Sequence, residues 1–181
     1  MGWVAVAAAF VAATFVAAGP APANGCAADG RAAEALVAGL FDWIGAHTDY
    51  DTDAARANAP AIVLCVTGGT ISYEGAPLLV EPGLRAMYSA IDHTVFLVAP
   101  WSAARHEDVS TLLHELVHGV QFRERAWPCP QAAEREAYAL QAAWLAERGL
   151  PPALDPFTAY LLSRCPSDTR SPVLARHLPS C

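Results

Sequence analysis

The residues best suited to chemistry in this 181-residue chain stand in one phrase, Leu112-Leu113-His114-Glu115-Leu116-Val117-His118-Gly119-Val120-Gln121. Histidines four apart lie one turn apart on a helix and point the same way, so His114 and His118 can reach one metal ion. Glu115 sits beside that face, where a carboxylate can take a proton from a water polarised by the metal. With 6 histidines and 9 glutamates in the chain, a His-Glu-x-x-His phrase is expected by chance only about 0.01 times. Placed on a helical wheel, Leu113, Leu116, Val117 and Val120 fall on one side and His114, His118 and Gln121 on the other. One face can anchor the helix while the opposite face presents the histidines.

A catalytic zinc takes three protein ligands and keeps a fourth position for water. A third histidine six residues beyond His118 is excluded, because Glu124 stands there and Gln121 replaces the glycine of that longer motif. A carboxylate from elsewhere must complete the set, and the next helical segment offers Glu134 and Glu136. Glu134 shares its face with Tyr138, Gln141 and Leu145, whereas Glu136 falls on the small and polar side with Ala143 and Glu147. A carboxylate among core-facing residues needs a partner, because burying it alone is expensive. Glu134 is therefore the preferred ligand and Glu136 the alternative. A buried ion pair with Arg123 or Arg125 is the competing role for Glu134.

His114-Glu115-x-x-His118 followed by Glu134-x-x-Ala137-Tyr138 resembles the gluzincin type of zinc metallopeptidase. Several of its families carry Glu-x-x-Ala-Asp or Glu-x-x-Ala-Asn on the second helix, so Tyr138 is a departure. The hydrogen bond that Asp or Asn would give a liganding histidine is then rearranged or absent. The stretches Leu112–Gln121, Pro128–Pro130 and Ala137–Leu145 also resemble small exported bacterial proteins grouped as a domain of unknown function. The resemblance spans about Thr94–Arg148. It implies a zincin-like fold, a Zn2+ cofactor on His114, His118 and Glu134, Glu115 as catalytic base, and a peptide or protein substrate. It also implies that a strand just before the metal helix lines the cleft, and Thr94–Val98 has the right order. An ordinary core strand fits the same composition. His93, His177 and Tyr138 are weaker candidates for stabilising an oxyanion. The alternative function is a non-catalytic exported protein, a binding module or envelope component, on a protease-like scaffold.

The elements that must position these residues follow from periodicity. Asp29–Ala46 carries a helical stripe of Leu36, Val37, Leu40, Phe41 and Ile44. Thr48–Pro60 is polar and reads as loop, Ala61–Thr67 as a strand, and Pro77–Gly83 as irregular. Arg85–Ser89 and Thr94–Val98 form a predicted hairpin. Asp108 or Ser110 can cap the metal helix, which runs to about Arg123. Gln131–Arg148 and Pro156–Arg164 are the remaining predicted helices. The sum is one α+β domain.

Composition bounds the rest. The chain is 54% hydrophobic with a formal charge of −7, contains 39 alanines and has no lysine. Its length suits a single domain, and without a basic stripe an acidic chain is a poor partner for nucleic acid. Met1–Ala18 is apolar and uncharged, and Ala21-Pro22-Ala23 offers a small-residue cleavage site. Residues 1–23 read as a secretory signal peptide, or as a retained anchor, ahead of a domain over 24–181 in a secreted or periplasmic protein. Contact with a membrane is expected only through that leader or through lipidation of Cys26. Export lets disulfides persist. The five cysteines leave one over, which the sequence assigns to Cys26 as lipidated or lost, with Cys65, Cys129, Cys165 and Cys181 as staples. A cysteine zinc site is the rival reading, weakened because no two cysteines are spaced as a knuckle.

Overall fold

The computed structural model describes residues 25–28 and 32–166. The expected leader over residues 1–23, His177 and Cys181 lie outside the described residues. Along the chain come β1 (Cys26–Ala28), α1 (Ala32–His47), α2 (Thr52–Ala57) and β2 (Ala61–Cys65). They are followed by β3 (Thr70–Tyr73), β4 (Ala76–Leu79), β5 (Ala86–Ser89) and β6 (Thr94–Val98). The second half is helical: α3 (His106–Glu124), a 3-10 turn (Pro130–Ala133), α4 (Glu134–Ala146) and α5 (Pro156–Leu162). This is a small single domain of mixed α+β class. No helix among the described residues is long and apolar enough to cross a membrane.

Four strands make one sheet in the order β1-β2-β6-β5. The β5–β6 hairpin is antiparallel, while β2 lies parallel to β6 on its other side. Thr94–Val98 is thus an inner strand, and the edge on the hairpin side belongs to β5. That corrects the expectation that Thr94–Val98 borders the cleft. Side chains alternate between two cores, as strand geometry requires. Val95, Leu97 and Tyr88 face α1, α3 and α4, where Phe41, Ile44, Leu112, Leu116 and Val120 complete the larger core. Phe96, Val98 and Cys65 face the opposite side, where Ile71 and Val80 from the β3–β4 region form a smaller one.

Several elements differ from the sequence reading. Pro77 lies in β4 opposite Ser72 of β3, so part of Pro77–Gly83 is strand. Proline is accepted there because this two-stranded sheet has only edges. The polar stretch Thr48–Pro60 contains α2, capped by the Asp51 carboxylate, which accepts from the Ala54 N–H. Neither Asp108 nor Ser110 caps α3, which begins at His106 after Arg105. Asp108 is buried instead and accepts from Arg85, Arg105 and the Ser102 N–H. Gln131–Arg148 opens with a 3-10 turn, and α4 proper starts at Glu134.

Among the described residues two disulfides are present, Cys26–Cys65 and Cys129–Cys165. The assignment of Cys26 as the odd cysteine is corrected, because Cys26 pairs directly opposite Cys65 in the β1–β2 ladder. Disulfides fit an oxidising compartment.

Candidate metal centre

α3 supplies two of the three converging groups. Its wheel predicts one buried face and one presenting face, yet His114, Glu115, His118 and Gln121 are as buried as Leu113 and Val117. The helix is enclosed from both sides, its leucine face against the sheet and α1 core and its histidine face against α4. Glu134, the first residue of α4, projects between the histidines. One ligand atom from each of His114, His118 and Glu134 lies within 4.8 Å of the others, a set that could hold a metal ion. His114 Nε2 is 3.2 Å from Glu134 Oε2, His118 Nε2 is 3.3 Å from Oε1, and the two Nε2 atoms are 3.1 Å apart.

The two glutamates separate cleanly. Glu136 accepts from the Tyr50 hydroxyl at 2.5 Å, from Gln121 Nε2 at 2.7 Å and from Arg125 at 2.7 Å. The arginine pairing considered for Glu134 therefore belongs to Glu136, while Arg123 donates to the Ala54 carbonyl.

The Glu136 network reaches the centre through Gln121. Gln121 Nε2 donates to the Ala133 carbonyl at 3.1 Å as well as to Glu136, and both partners are acceptors. The amide is therefore oriented with Oε1 toward His118 Nδ1, 2.9 Å away. That nitrogen keeps its proton, so Nε2 is the one that gives up its proton when the ring is neutral and then turns a lone pair to the cluster. Phe122 stacks on the same ring at a centroid distance of 5.5 Å. His114 is held differently. Its Nδ1 is buried with no hydrogen-bond partner among the described residues, and the Tyr138 ring packs against it at 4.4 Å. The departure at Tyr138 thus coincides with a missing brace on His114.

Electrostatics follow from burial. Burial pushes the Glu115 carboxyl above the usual range, only partly opposed by His114, His118 and a hydrogen bond from the Tyr88 backbone. Burial also lifts Glu134, but hydrogen bonds from both imidazoles outweigh it and hold this carboxyl at about 2. Burial disfavours a charged His118, yet its hydrogen bond to Glu134 and the charge of Glu115 win and raise its pKa. The Tyr138 hydroxyl is pushed up to about 12 by burial and by the Glu134 and Glu115 carboxylates, so it remains a donor at neutral pH.

A cavity of about 600 Å³ opens beside these groups. His114, Glu115 and Tyr138 lie at its floor, Leu84 and Ala86 along the sheet edge, and Leu150 and Leu154 on the far wall. His93 is directed elsewhere. Its Nε2 faces the Asn58 carbonyl at 2.8 Å, so Nδ1 accepts from the Tyr88 hydroxyl at 3.0 Å. Sequence reasoning missed Tyr73, Tyr88 and the Glu136 network. The one available signal was Gln121, which shares the histidine face.

A family model described as Domain of unknown function (DUF6647) matches residues 29–172, most of the chain. The chain belongs to this family. The DUF6647 match spans α1 to α5 and includes His114 and His118, Glu134 and Glu136 of α4 and the cavity walls. Neither a curated protein nor a solved structure matches the chain.

Proposed function

We propose that this DUF6647 protein is an exported zinc-dependent hydrolase, a metallopeptidase with a zincin-like centre. The observation that carries the reading is the convergence of His114, His118 and Glu134 within 4.8 Å, beside a buried Glu115 and a cavity. The donor set fits the metal: two imidazole nitrogens and one carboxylate are the ligands of a catalytic zinc with one position left open. Zinc, when bound, supplies Lewis acidity toward a carbonyl oxygen and lowers the pKa of water.

The chain's own residues do the rest. Glu115, with a pKa raised by burial, takes a proton from the attacking water as its oxygen bonds to the peptide carbonyl carbon. It then delivers that proton to the amine nitrogen as the C–N bond breaks. The Tyr138 hydroxyl is available to donate to the developing oxyanion. The β5 edge can hydrogen-bond an extended substrate backbone, and the apolar wall of Leu150, Pro151, Pro152 and Leu154 accepts a side chain.

Metal content and casein cleavage test this reading together. The wild-type chain is expected to hold one zinc and to cleave, and Glu115→Gln to keep the zinc while losing at least about a hundredfold in rate. Less than a tenth of an equivalent of zinc after chelator-free purification would reject it. The unbraced His114 favours a second reading, a protease-like scaffold that holds metal without turnover. Full zinc occupancy with no cleavage of diverse peptides would select that one.

A further inference from the structure

The free edge of β5 is shorter than the strand itself. The Val98 N–H donates to the Arg85 carbonyl at 2.9 Å, and Ala86 and Tyr88 lie opposite Leu97 and Val95. Antiparallel alternation then turns the main-chain groups of Arg85, Met87 and Ser89 toward β6, and those of Leu84, Ala86 and Tyr88 outward. The outward Tyr88 carbonyl is already occupied. It accepts from the Tyr73 hydroxyl at 3.1 Å.

Tyr73 is well fixed in that position. It ends β3 at the tip of the β3–β4 hairpin, where Glu74 and Gly75 turn the chain with φ of 52° and 79°. The Glu74 N–H donates to Asp92 at 3.0 Å, and the same carboxylate oxygen accepts from the Ser89 hydroxyl at 2.8 Å. The hairpin tip is thereby tied to the turn that follows β5. At the other end of the edge, the Leu84 N–H donates to the Glu81 carbonyl at 3.3 Å in a turn containing Pro82. Between these stops lie the Ala86 N–H, the Ala86 carbonyl and the Leu84 carbonyl. Both residues line the cavity that reaches His114 and Glu115.

We propose that Tyr73 closes one end of the substrate groove, so that β5 pairs with only three consecutive residues of an extended peptide. An antiparallel peptide residue opposite Ala86 exchanges two hydrogen bonds with it. The residue two positions further along donates one to the Leu84 carbonyl, and the next pairing in the other direction meets Tyr73 instead of a free carbonyl. The groove therefore selects short peptides or chain ends over the middle of a long strand. This rests on the peptide-cleft reading above and adds the length of its substrate.

The test measures binding of blocked Leu/Ala peptides of two to six residues to the zinc-loaded, full-length Glu115→Gln chain, which binds without turning over. Affinity should rise up to three residues and then stay flat. In the same chain carrying Tyr73→Phe, the freed carbonyl should extend the rise to five residues, a gain of about three- to tenfold for the added hydrogen bond. Ala86→Pro removes an outward N–H without touching the β6 ladder and should weaken every length. A rise beyond three residues with Tyr73 present, a plateau that does not move in Tyr73→Phe, or no peptide binding at all overturns the proposal. Turnover is read separately on the wild-type chain. Cleavage with an unmoved plateau rejects the three-residue frame alone, whereas the expected plateau shift without any cleavage rejects the hydrolase alone.

Discussion

The two histidines of the centre come from one helix and face one carboxylate, yet they are held by different physics. His118 is the end of a chain of hydrogen bonds from Tyr50 and Arg125 through Glu136 and Gln121. Its ring orientation and tautomer are both fixed before any ligand arrives. His114 has no such partner on Nδ1 among the described residues and relies on burial and on the Tyr138 ring. Packing restrains where a ring sits but says little about which nitrogen carries the proton, whereas a hydrogen bond specifies both. The candidate centre thus has one preset imidazole and one adaptable imidazole.

Removing either imidazole should have the largest effect and should not distinguish the two. His114→Ala and His118→Ala are both expected to lose stoichiometric zinc, measured by elemental analysis, and retention in one of them would show that the site needs only the other. The next effect separates them. Gln121→Ala should weaken zinc binding by about 10- to 100-fold, the usual cost of losing an outer partner. Tyr138→Leu, which keeps apolar packing, should change it by less than about threefold. Competition titration with a chromophoric chelator compares the two, and equal losses would erase the distinction.

A smaller effect is expected from Glu136→Gln. Tyr50, Gln121 and Arg125 all donate to one oxygen of Glu136. The new amide can still offer an oxygen there, but it loses the charge that faces Arg125, so zinc affinity should fall by about three- to tenfold. The smallest effect is one of pH on the metal-free chain. Glu134, lowered from 4.5 to about 2, contributes stability that is present above pH 4.5 and fades as pH falls toward 2. His118, raised above 6.5, contributes stability that is present below pH 6.5 and is lost as pH rises through its folded value. Denaturant unfolding without metal should therefore be most resistant between these limits. Zinc affinity should instead climb with pH, because the imidazoles must be neutral to bind.

The parts legible in the sequence were those set by short spacings. His114 and His118 lie within one helical turn, and the wheel that put Glu134 among apolar neighbours needed only the following helix. The wheel puts Glu136 only on a small and polar side, because its partners Tyr50, Gln121 and Arg125 come from separate segments that only the tertiary fold unites. The β5–β6 hairpin was readable from alternation. Which of its strands forms the edge was not, since that depends on β2 entering the sheet beside β6 from some thirty residues earlier. The cysteine assignment failed for a similar reason: Cys26 was weighed as part of a leader, and the β1–β2 pairing that places it opposite Cys65 is long-range.

Thirteen of the nineteen residues of α3 are buried, the two histidines, Glu115 and Gln121 among them. The helix that carries the candidate site is also the beam around which the domain is built. Forming the core and bringing His114, His118 and Glu115 into place are consequently one cooperative event, and the amides of α3 should be the slowest in the molecule to exchange with solvent. Variation that retunes what the cleft accepts has little room in that beam. It is left to the rim, to the tip of the β3–β4 hairpin and the proline-rich wall after α4, where a residue can change without unsettling the whole.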